Sequence, residues 1–109
     1  MLKPGDVVTA WFPGIAMTKR RPLVVVSTDA YHATRPDFVV AELTSQVAKA
    51  KAPTDYVLQE WHAAGLHSPS AFRVFLATLP ASNVTVIGHL SDADWAEVQA
   101  RLRLGLAVK

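Results

Sequence analysis

The chain has 109 residues, half of them hydrophobic and 18% charged. Those figures exclude a disordered polypeptide and fit one small domain over 1–109, with a modest core and no room for a second. There is no cysteine, which excludes disulfides, thiolate zinc sites and cysteine nucleophiles and suits a reducing compartment. The net charge of +2 permits an anionic partner without demanding one. The whole excess lies in 1–90, since 91–109 carries three Lys/Arg and three Asp/Glu. No apolar run nears the ~20 residues of a membrane span. Lys3 and Asp6 precede any apolar stretch, so no secretory signal is expected.

In chain order, Gly5-Asp6 is a turn and Val7 to Phe12 reads as the first strand, stopped by Pro13-Gly14. A loop of about ten residues follows and ends in Lys19-Arg20-Arg21-Pro22. Leu23-Val24-Val25-Val26-Ser27 is a continuous apolar run, the pattern of a strand buried on both faces. Thr28 to Asp37 is polar and reads as a connection; Phe38 to Leu43 is the next strand, running into Thr44-Ser45-Gln46. Val47 to Thr54, with two lysines and Pro53, reads as loop. Tyr56-Val57-Leu58 is a short strand, and Glu60 to Ala64 a helical turn closed by Gly65. Ala71 to Leu76 and Val84 to Gly88 are the last two strands.

Ser91 then caps a terminal helix, with Asp94 placed to complete a capping box. Trp95, Val98, Leu102 and Leu106 recur at helical spacing, a stripe that packs the helix on the sheet. Arg101 and Arg103 near its end suit the helix dipole. Five or six short strands, too closely spaced for crossover helices, predict a mainly β fold: an antiparallel sheet or small barrel with one C-terminal helix.

Few residues stand out for chemistry. His32, His62, His67 and His89 are scattered without ligand-type spacing, so neither a metal nor another cofactor is expected. A run such as Lys19-Arg20-Arg21 is ordinarily a solvated loop. Arg21 differs because the following Pro22 holds it extended at the mouth of a buried strand. There its planar fork can grip a phosphate at two points. Thr44, Ser45 and Gln46 are either ordinary turn formers or a cluster of neutral hydrogen-bonding groups at a strand end. Lys49 and Lys51 follow on a loop able to track a nucleic-acid backbone. Arg73 sits among apolar strand residues, with Phe75 on its face and Phe72 and Val74 on the other. An exposed-face arginine is the usual outcome there, and a second phosphate or base contact is the alternative. Trp11 and Trp61 could stack bases, although packing is the commoner use.

These residues, in this order, resemble the MazF/PemK-like toxins of bacterial type II toxin–antitoxin systems. The resemblance rests on Lys3-Pro4-Gly5-Asp6-Val7-Val8, Arg20-Arg21-Pro22-Leu23-Val24-Val25-Val26, Asp29-Ala30-Tyr31 and Glu42-Leu43-Thr44-Ser45-Gln46. Ser70-Ala71-Phe72-Arg73, Leu76-Ala77-Thr78-Leu79 and Ile87-Gly88-His89-Leu90-Ser91-Asp92 continue it over nearly the whole chain. The resemblance implies a small SH3-like β-barrel of the CcdB/MazF type, a homodimer, and a bacterial cytoplasmic toxin held by a cognate antitoxin. It implies a metal-independent endoribonuclease that cuts single-stranded RNA by attack of the ribose 2′-OH. In that frame Arg21 and Thr44 are the catalytic positions, and Arg73 matches the family's later strand arginine. Lys19, Arg20, Ser45, Gln46, Lys49, Lys51 and Arg73 become RNA contacts. Two departures stand against a simple transfer. Phe75 occupies the position at which some members carry an acidic residue, and the loop Pro13 to Thr18 has no His, Glu or Gln. The same barrel also serves toxins that poison DNA gyrase without cutting RNA, and a member that only binds RNA or antitoxin is a further alternative.

Overall fold

The computed structural model describes residues 2–11 and 20–108. Six strands form one antiparallel sheet: β1 (Asp6–Ala10), β2 (Arg21–Val25), β3 (Asp37–Thr44), β4 (Tyr56–Val57), β5 (Ala71–Pro80) and β6 (Thr85–His89). Their spatial order is β4-β5-β3-β2-β1-β6. Two helices join them, α1 (Asp29–Thr34) and α2 (Asp92–Gly105). The expected mainly β architecture with a C-terminal helix is what the chain adopts, as a curled half-barrel.

Alternation along the strands sends apolar side chains to both faces of the sheet. Val7, Val24, Ala41, Leu43 and Phe72 join one cluster, completed by Leu58, Leu66 and Leu90 and by Val98 of α2. Val8, Leu23, Val25, Phe38, Val40 and Leu79 form a second cluster. The valine run of β2 therefore feeds both clusters, which is why it reads as uninterrupted apolar sequence.

The curl is closed by the segment between β4 and β5. It leaves the β4 edge and brings the backbone of Ala64-Gly65 against Ile87-Gly88 of β6, at the opposite edge. The approach is too close for side chains. A β-carbon on Gly88 would lie 2.1 Å from the Ala64 carbonyl oxygen. Gly65 also has φ +88, a conformation that favours glycine.

Three local expectations need correction. Thr28 to Asp37 is not merely a polar connection: Thr28 caps the short helix α1 by accepting from the Tyr31 N–H at 3.3 Å. The strand expected at Ala71 to Leu76 continues to Pro80, because Asp37–Thr44 pairs along its full length. The capping box is half formed. Ser91 Oγ accepts from the Asp94 N–H at 3.2 Å, but the Asp94 carboxylate turns inward. It accepts from Tyr56 Oη at 2.6 Å, Gln59 N at 3.1 Å and Glu60 N at 2.9 Å. Burial first, and then the bond to Asp94, push the Tyr56 phenol above its ordinary range. The stripe on α2 is anchored by buried Val98 with Trp95 and Leu102 half-buried, while Leu106 lies past the helix end and is exposed.

Candidate functional site

β2 begins at Arg21 and β3 ends at Thr44. Leu23 pairs with Glu42. Extending that antiparallel register by two residues in each strand sets Arg21 level with Thr44. Side chains two apart on a strand share a face, so Arg21, Leu23, Glu42 and Thr44 form one patch. The patch lines a cavity of about 190 Å³, together with Gln46 and Arg73. Two stretches separated by some twenty residues of sequence thus supply the two positions picked as catalytic to one cavity.

Among the described residues the Arg21 side chain has no hydrogen-bond or ion-pair partner, and the residue is exposed. Its guanidinium donors are open to a ligand. Thr44 Oγ1 accepts the Gln46 N–H at 3.1 Å. Its acceptor side is thereby engaged, and its O–H remains able to donate into the cavity. Arg73 is held differently. Its Nη1 lies 3.8 Å from Glu42 Oε1 and its Nε 3.7 Å from Asp55 Oδ1. A β-bulge delivers it there: Ala41 pairs with Leu76 and Glu42 with Arg73, so Val74 and Phe75 are extra on β5. Such bulges re-aim side chains.

A second cavity, of about 320 Å³, adjoins the first and shares Arg21. Arg20, Ser45, Leu66, His67 and Ser70 are among its walls. Arg20 is spent largely on structure. Its Nη2 donates to the carbonyls of Thr9, at 2.5 Å, and Asn83, at 3.1 Å, tying the end of β1 to the turn before β6. Lys49, in a short 3-10 turn over Val47–Lys49, and Lys51 are exposed beyond Gln46 and line neither cavity. Lys19 lies outside the described residues. Trp11 is exposed, and Trp61 is half-buried against the first core cluster.

The structure adds two groups that sequence reasoning did not single out. Glu42 enters the cavity two residues before Thr44, a placement legible only once its face of β3 is known. His67 comes from the loop before β5, and only the closure of the barrel brings it near Arg21. Among the described residues no group of three His, Cys, Asp or Glu could hold a metal ion. No helix among them is long and apolar enough to cross a membrane.

A curled antiparallel sheet with a terminal helix places the chain among the small β-barrel proteins. The family model described as the PemK-like, MazF-like toxin of type II toxin–antitoxin systems matches residues 3–106, and the chain belongs to this family.

Solved structures share the fold. An endoribonuclease in complex with its cognate antitoxin from a mycobacterial species superposes with a TM-score of 0.78 at 18% identity, covering 100% of both chains. MazF of the MazE–MazF complex from Deinococcus radiodurans gives 0.71 at 23% identity, with 97% of each chain covered. The Mycobacterium tuberculosis toxin MazF-mt6 gives 0.69 at 18% identity, covering 89% of this chain and 91% of its own. No curated protein matches the sequence at a significant level.

Proposed function

We propose that the chain is the toxin of a bacterial toxin–antitoxin pair and acts in the cytoplasm as a metal-independent endoribonuclease on single-stranded RNA. One observation carries the reading: the unpartnered guanidinium of Arg21 and the hydroxyl of Thr44 share one cavity at level strand ends. The ribose 2′-OH attacks the adjacent phosphorus, leaving a 2′,3′-cyclic phosphate and a 5′-OH. Negative charge grows on the non-bridging oxygens as the pentavalent phosphorane forms. Arg21 meets that charge with two parallel N–H donors, and Thr44 donates its O–H to the same group. Ser45, Gln46, Lys49 and Lys51 continue the track on which unstacked bases and the backbone are read. Family membership supports an antitoxin that covers this groove, and a homodimer as the assembly.

The test is incubation of the purified protein with mixed-sequence RNA in EDTA, followed by mapping of 5′ ends. Wild type is expected to make discrete cuts. Arg21→Ala and Thr44→Ala are each expected to cut about 10²–10³-fold more slowly while melting normally, the usual cost of losing one oriented donor. A single 2′-deoxy substitution at the cut site should block cleavage there. Intact RNA at micromolar protein overturns the reading. Growth arrest with intact RNA would direct attention to a gyrase-poisoning toxin.

A further inference from the structure

Attack by a 2′-OH needs a group that takes its proton, and neither Arg21 nor Thr44 can serve at neutral pH. An arginine stays protonated and a hydroxyl is too weak a base. The same holds for Arg73 and for the Gln46 amide. The remaining polar side chain in the cavity is the carboxylate of Glu42, since the His67 imidazole lines the adjoining cavity and not this one. It lies on the face and in the strand that carry Thr44, beside Leu23 and two residues from the level of Arg21. Its side chain is 20% exposed, so it is sheltered yet reachable. Among the described residues the carboxylate accepts no hydrogen bond, and its ion pair with Arg73 is loose, with Nη1 3.8 Å from Oε1. The carboxylate is therefore open to a ligand. The neighbouring acid, Asp55, is differently placed. Its side chain is 5% exposed, its Oδ2 holds the Ala52 N–H at 3.1 Å, and it lines neither strand-end cavity.

We propose that Glu42 is the proton acceptor for the attacking ribose hydroxyl, a role the family's acidic position at Phe75 cannot fill in this chain. The proposal rests on the ribonuclease reading above. As the 2′-oxygen bonds to phosphorus, its proton passes to Glu42. The P–O5′ bond breaks with its electron pair on O5′, which takes a proton from solvent water. The hydroxide so formed is neutralised by the proton that Glu42 then releases. The charged groups facing Glu42 are Arg21 from β2 and Arg73 from β5, with Asp55 behind Arg73.

The experiment measures single-turnover cleavage of a mapped substrate across pH by wild type, Glu42→Gln and Glu42→Ala. Affinity for the 2′-deoxy substrate is measured in parallel. Glu42→Gln preserves size and one acceptor oxygen, so folding is kept. It is expected to slow cleavage about 10²–10⁴-fold, the usual contribution of a positioned general base, with affinity changed less than threefold. Wild type is expected to slow toward acid pH as Glu42 takes up a proton, and Glu42→Gln to lose that fall. Added formate should restore part of the Glu42→Ala rate. Glu42→Gln cleaving within threefold of wild type overturns the proposal while leaving the ribonuclease reading intact. So does a slow Glu42→Gln that keeps the acid fall, because Glu42 would then act only by positioning Arg73. Wild type that leaves RNA intact overturns the ribonuclease reading and this one with it.

Discussion

Asp94 is the residue whose removal tests the architecture most directly. It is fully buried in the first turn of α2, and its carboxylate accepts from Tyr56 Oη, Gln59 N and Glu60 N. These three bonds tie the helix to β4 and to the start of the segment that closes the barrel. A hydrogen bond to a charged group contributes ~1.5–3 kcal/mol, and three bonds to one carboxylate add less than fully. Gln59 and Glu60 are exposed, so water can reach part of what is released. Asp94→Ala is therefore expected to cost ~3–5 kcal/mol, a large share of the ~5–15 kcal/mol typical of a domain this size. At roughly 4 °C per kcal/mol, Tm should fall by ~12–20 °C. Asp94→Asn should lose nearly as much, because its NH₂ would face N–H donors. Tyr56→Phe, which removes one bond of the three, should lose ~1.5–2 kcal/mol. Thermal unfolding followed by circular dichroism measures all three. Hydrogen exchange at the Gln59 and Glu60 amides reports whether the tie is local. A fall of less than ~4 °C for Asp94→Ala, about 1 kcal/mol, would refute the view that this carboxylate fastens the helix to the sheet.

Two further outcomes follow from the same geometry. Gly88→Ala places a methyl group 2.1 Å from a backbone carbonyl that cannot swing away, so the seam must open. A loss of ~1–3 kcal/mol or more in urea unfolding is expected, and an unchanged midpoint would show that the seam is looser than drawn. Binding of the 2′-deoxy RNA should weaken with salt. With about three cations on the backbone, the slope of log affinity against log salt should be roughly −2, and Arg21→Ala should make it shallower by ~0.7. A slope that does not change in Arg21→Ala would remove Arg21 from phosphate contact.

Much of the fold was legible in the chain because its signals are local. Each of the six strands was visible as an apolar run bounded by Gly, Pro or polar residues, and Ser91 announced α2. Boundaries were less secure. The end of β5 at Pro80 depends on having β3 as a partner, and pairing across the sheet is not written in either segment alone. The capping box failed for a related reason. Local spacing offered Asp94 the backbone N–H at its own helix start, but three donors 34 to 38 residues earlier in the chain compete for it and win. A buried carboxylate with three donors is better satisfied than one with a single donor at the surface.

The candidate site divides in the same way. Arg21 was marked by its own sequence neighbourhood, since the proline after it limits the backbone and the valine run after that demands burial. Thr44 stood at a strand end that the apolar pattern located. Their shared cavity, in contrast, exists only because β2 and β3 pair with Leu23 opposite Glu42. The same register carries Glu42 into that cavity, and the bulge at Val74-Phe75 brings Arg73 beside it. No spacing within one segment encodes either placement. Composition, periodicity and turn residues settled which segments are strands and which arginine stands at a strand mouth, because those depend on neighbours in the chain. Tertiary structure alone decided which carboxylate meets which arginine, because that depends on pairing between segments twenty or more residues apart.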